Sequence, residues 1–106
     1  MKQQLKRLTI TTEAQINFRY KAKRFFVKNF SDDVIYVSFE KITDDDFSEA
    51  YKINSGIGEE VCIAYTGISN KYLSDTIYIY GNGDVEVQQL DFQVATKQRD
   101  EIEVIE

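Results

Sequence analysis

Thr76-Ile-Tyr-Ile-Tyr-Gly-Asn-Gly-Asp-Val-Glu-Val-Gln-Gln-Leu90 sets two runs of β-branched and aromatic residues on either side of Gly81-Asn82-Gly83. Such runs favour strands, and a Gly-Asn-Gly centre supplies residues that tolerate φ > 0, so the stretch predicts a β-hairpin. Its apolar pattern selects a register. A two-residue Asn82-Gly83 turn would set Ile79 opposite Glu86, whereas a three-residue loop with a bulged Gly83 sets Ile79 opposite Val85 and Ile77 opposite Val87. The second register makes one coherent apolar face, with Tyr78, Tyr80, Asp84 and Glu86 on the other.

Outward from that stretch the alternation continues. Ala14, Ile16, Phe18 and Tyr20 fall on one face of 14–20, with Gln15, Asn17 and Arg19 opposite, as in a half-buried strand. Residues 24–30 and 34–39 are two further β-type runs around the turn chemistry of Ser31-Asp32-Asp33, which predicts a second hairpin over 24–39. Residues 51–53 and 60–64 are strands separated by a reversal containing Gly56 and Gly58. Thr43 to Glu49 breaks the pattern as a loop or a single helical turn. The turn positions expected are Gly56, Gly58, Gly81, Asn82 and Gly83. Two ends stay open: 1–12 is a short helix or an extended arm, and 94–106 is a last strand, a short helix or a tail.

About seven short strands with turn signals every 8–12 residues predict an all-β, antiparallel β-sandwich, Ig-like or jelly-roll-like. A chain of 106 residues makes one such domain, 1–106. With 42% apolar and 13% aromatic residues it can build an ordinary folded core. No apolar run approaches the length of a membrane-spanning helix, and 1–12 shows no signal-peptide pattern. A lone Cys62 between Val61 and Ile63 forms no internal disulfide, needs no oxidising compartment, and suits a half-buried inert thiol. The absence of proline removes one common device for blunting sheet edges, leaving charge, or use in pairing with another chain.

Histidine is absent, which removes the commonest general base and metal ligand. The glycine segments match no phosphate- or dinucleotide-binding pattern. Asp44-Asp45-Asp46 lacks the alternating ligand spacing of a calcium loop and is expected to be a solvated turn. No enzyme activity, cofactor or metal is therefore expected. Charge is unevenly spread: residues 1–28 hold eight Lys/Arg against Glu13 alone, and 29–106 hold five against seventeen acids. The two segments either neutralise each other within one fold or attract neighbouring copies. The candidate interaction residues are Lys2, Lys6, Arg7, Arg19, Lys21, Lys23 and Arg24, with Tyr78 and Tyr80. Interleaving of the basic residues with Phe18, Tyr20, Phe25 and Phe26 has the ingredients of a nucleic-acid platform. Core packing is the simpler reading of those aromatics in an acidic protein, and an acidic nucleic-acid mimic is not supported by carboxylates dispersed over several turns. Tyr65, Tyr72, Tyr78 and Tyr80 suit a carbohydrate- or other ligand-binding face, and an intracellular inhibitor of a host protein is a third alternative.

Phe26-Val-Lys-Asn-Phe-Ser-Asp-Asp-Val-Ile-Tyr-Val-Ser-Phe39, Lys52-Ile-Asn-Ser-Gly56 and Ile77-Tyr-Ile-Tyr-Gly-Asn-Gly-Asp-Val-Glu-Val-Gln88 together resemble small virion structural proteins of tailed phages and prophages of Gram-positive bacteria. The resemblance covers about residues 24–90 and consists of strand-and-turn motifs. It implies a β-sandwich made in the bacterial host cytoplasm and carried on the virion as a capsid decoration, head fibre or similar part. It implies partners among other virion proteins or copies of itself, and it carries no catalytic residue.

Overall fold

The apolar faces foreseen from the alternation all turn inward, but from two sheets rather than from paired hairpins. The computed structural model describes residues 3–63 and 73–106, so Lys2, Tyr65 and Tyr72 lie outside the described residues. Among the described residues nine strands run in chain order: β1 (Leu5–Ile10), β2 (Glu13–Ala22), β3 (Arg24–Asn29), β4 (Ile35–Ser38), β5 (Tyr51–Ile53), β6 (Gly58–Cys62), β7 (Ser74–Tyr80), β8 (Gly83–Gln89) and β9 (Glu103–Ile105). Sheet A has the order β1-β8-β3-β6 and sheet B the order β5-β4-β7-β2-β9, with every pairing antiparallel. The pairings β1·β8, β2·β7, β3·β6 and β4·β5 are nested one inside the next. That is the strand order of a jelly roll, and it excludes the Ig-like alternative.

Nesting overturns both hairpins. β7 lies in sheet B and β8 in sheet A, so Ile79 is opposite Ala14 and Val37, while Val85 is opposite Leu8 and Asn29. Residues 24–39 likewise cross from sheet A to sheet B between β3 and β4. Among the described strands only β4 and β5 are consecutive and paired in one sheet. A coherent apolar face is satisfied equally by neighbours in one sheet and by partners across a core, and here the core takes them. Ile16, Phe18, Phe25, Val27, Ile35, Val37, Ile53, Val61, Ile77, Ile79 and Val87 are fully buried in one cluster.

The glycines at the β7–β8 corner are required by backbone conformation and space. Gly81 (φ 151°) and Gly83 (φ 129°) both have positive φ. A Cβ on Gly81 would stand 2.8 Å from Ile35 Cγ2, and one on Gly83 would collide with Ser31. Asn82 donates its side-chain amide to Thr11 O at 2.9 Å. Gly56 is also a turn residue (φ 76°), but Gly58 opens β6 instead, with the Phe26 ring against it.

Both uncertain ends are built into the sheets. Residues 5–10 pair with β8 along their whole length, and Ile10 is a core residue. The C-terminal segment straps β2: Gln93 N–H donates to Lys21 O (2.9 Å), Gln98 N–H to Arg19 O (2.7 Å), and β9 then pairs with residues 15–17. Arg99 fastens the strap by donating to Phe18 O and to Asp75.

Candidate interaction surface

The outer face of sheet A is a cross-strand polar ladder. Register places Arg7 in β1 and Lys28 in β3 on either side of Glu86 in β8. Glu86 Oε1 accepts from Arg7 Nε at 2.6 Å and Oε2 lies 3.3 Å from Lys28 Nζ, which satisfies a carboxylate whose side chain is only 4% exposed. The Arg7 hydrogen bond, helped by Lys28, holds the Glu86 carboxyl below its ordinary pKa despite the opposing desolvation. Further along the same face Arg24 bridges Glu60 (2.8 Å) and Asp91 (3.3 Å). Burial alone would raise Asp91, but hydrogen bonds and charge from Arg24 hold it low.

These pairs join the basic first quarter of the chain to the acidic remainder within one molecule. Arg7, Arg24 and Lys28 are therefore committed to internal partners. The other candidate cations do not gather into a patch. Arg19 stacks its guanidinium over Tyr20 at 5.2 Å, Lys21 lies in β2 under the C-terminal strap, and Lys23 stands exposed in the β2–β3 turn. Lys6 follows the alternation of Leu8 and Ile10, on the inward-facing side of an edge strand.

The aromatic platform is dismantled by the core. Phe18 and Phe25 are fully buried and pack on each other at 5.5 Å, and Tyr20 is stacked under Phe92. Tyr80 is covered as well. The 39–50 loop folds back so that Phe47 stacks on Tyr36 (4.7 Å) and tilts against Tyr80 (5.3 Å), while Ile42 N–H donates to Tyr80 Oη at 2.7 Å. Tyr78 alone of the two described candidate tyrosines stays half-exposed.

A concavity of about 870 Å³ opens beside that loop, between Val37, Tyr51, Cys62 and Leu73. Two of its carboxylates serve local turns: Asp44 Oδ1 accepts from Asp46 N–H (3.2 Å) and Asp46 Oδ1 from Ser48 N–H (3.0 Å). Among the described residues no group of three or more His, Cys, Asp or Glu is placed to hold a metal ion. A second feature was not foreseen from the sequence. Phe30 (57% exposed) and Ile57 (44% exposed) stand beside Phe26 and Lys28 around a small hollow near the start of β6. No local pattern signals it, because β3 and the β5–β6 turn meet only through long-range pairing.

Comparison with protein-family models, with curated proteins and with solved structures finds no match.

Proposed function

We propose that this protein is a non-enzymatic virion structural or interaction module of a tailed phage or prophage, a capsid decoration, head fibre or similar part, acting by protein–protein binding in several copies. The observation that carries the reading is the nested jelly-roll strand order, an architecture that recurs in viral capsid domains. It agrees in kind with the resemblance over residues 24–90. The surface adds to it: polar side chains on the outer face of sheet A are paired in ladders, and two exposed apolar side chains, Phe30 and Ile57, stand together at a sheet corner. A tyrosine-lined carbohydrate face is less well supported, since Tyr80 lies beneath Phe47.

The test is mass spectrometry of particles purified after induction of a lysogen that carries the gene. Stoichiometric, multicopy recovery of the protein supports the reading. Its absence from particles that contain the other head and tail proteins would overturn it.

A further inference from the structure

The two edges of sheet A are complementary to each other. Gln89 N–H donates to Gln4 O, so the even-numbered residues of β1 bond to β8, and Leu5, Arg7 and Thr9 turn their N–H and C=O groups to the free edge. At the other edge, the Asn29–Ile57 and Lys23–Ile63 bonds assign the odd-numbered residues of β6 to β3. Gly58, Glu60 and Cys62 therefore face outward. Tyr51 already occupies the Cys62 end, donating to its carbonyl at 2.7 Å and accepting its N–H at 3.3 Å. Among the described residues nothing pairs with the outward backbone groups of Gly58 and Glu60.

Each edge carries one charge on the core side of its strand by register: Lys6, half-buried, opposite Val87, and Glu59, exposed at the strand's margin, opposite Val27. Neither enters an ion pair among the described residues. An inward charge at an edge ordinarily prevents pairing with other chains, because pairing would bury it alone. Here the two charges are opposite in sign, so each edge refuses a generic strand and matches the other.

We infer that copies of this chain associate edge to edge, β1 of one copy adding to β6 of the next, with Lys6 set opposite Glu59. Strand direction permits it. β1 and β6 run in opposite senses within sheet A, so a second copy in the same orientation continues the antiparallel alternation. In this register Arg7 bonds across to Gly58 and Leu5 to Glu60, the two residues that Tyr51 leaves open. The contact is heterologous, and sheet B is one strand wider than sheet A. Successive copies therefore fan with sheet A on the concave side, which favours a closed ring.

The inference deepens the multicopy reading above, and charge swaps distinguish the two. Light scattering of the full chain at low salt should give a mass above the 12.3 kDa protomer. Lys6→Glu alone and Glu59→Lys alone should each be monomeric, while the double swap, or an equimolar mixture of the two single variants, should recover the oligomer. A structural probe guards against misfolding. Opposed residues of a non-hydrogen-bonded antiparallel pair have Cα atoms about 4.5 Å apart, within disulfide range. Lys6→Cys with Glu59→Cys in a Cys62→Ser background should give a reducible ladder of multimers on mild oxidation, and Arg7→Cys with Glu59→Cys should not. A protein monomeric at every concentration and salt overturns the inference. An oligomer indifferent to the swaps and giving no ladder also overturns it, yet leaves multicopy attachment standing.

Discussion

The side-chain amide of Asn29, in β3 of sheet A, donates to the carbonyl of Ile53, in β5 of sheet B, at 3.0 Å. The same nitrogen donates to Asp33 O at 2.8 Å, and Asn29 Oδ1 accepts from Ser31 N–H at 2.9 Å. Ser31 Oγ, with one proton to give, stands within reach of both Asn29 Oδ1 (2.6 Å) and Asp33 O (2.8 Å). This buried polar clamp holds the corner where the chain leaves one sheet for the other. Asn29→Ala should cost about 2–4 kcal/mol, because removing one side chain strands several buried donors and acceptors. Urea unfolding should show a lower midpoint with an unchanged slope; an unshifted midpoint would show that the clamp contributes nothing.

Gly83 packs against the far side of that clamp. A Cβ there meets Ser31, and the positive φ adds backbone strain, so Gly83→Val should destabilise by about 2–4 kcal/mol. The cause is the approach of two corners, not the bulge of a hairpin. Cross-strand NOEs linking Ile79 to Ala14 and Val85 to Leu8, with none of hairpin type between Ile79 and Val85, are the accompanying expectation.

Glu86 makes stability depend on acid. Its folded pKa lies below the ordinary 4.5, so the contribution is complete above about pH 4.5 and is lost as pH falls through the lower folded value. Glu86→Gln should therefore lose less stability than the parent between pH 6 and pH 3. Parallel pH–stability curves for the two proteins would refute the assignment.

Removing residues 1–12 should abolish folding. The deletion strips β1 from β8 and takes Ile10 from the core, exposing Val85 and Val87 at a new edge. Far-UV circular dichroism should show loss of the sheet signal or aggregation. A soluble, cooperatively unfolding product would mean that β1 is dispensable, as an arm would be.

Chelation should leave the melting temperature unchanged. Asp44 and Asp46 already accept local N–H groups, and the Ser48 hydrogen bonds hold the Asp46 carboxyl below its usual value without a cation. A rise of several degrees on adding calcium would reverse this conclusion.

Local chemistry in the sequence determined which residues face inward and where the chain turns. Strict alternation marked Ala14, Ile16, Phe18, Tyr20, Ile77, Ile79, Val85 and Val87, and all of them are buried. Positive φ at Gly83 was legible from the turn chemistry, and of the other expected turn glycines Gly56 and Gly81 share it while Gly58 does not. Short strand-like runs with turn signals every 8–12 residues pointed to an all-β sandwich, and the lack of histidine left few routes to catalysis. Pairing was decided only by tertiary structure. A strand has two edges and one apolar face, and the face is the same whether its neighbour in sequence lies beside it or across the core. Thus Gly81-Asn82-Gly83 turns a corner between sheets, Tyr80 disappears under Phe47, and Arg7 finds Glu86 seventy-nine residues away. Weakly patterned segments such as Leu5–Ile10 and Glu103–Ile105 become strands because a sheet edge is waiting for them, which no window of sequence reveals.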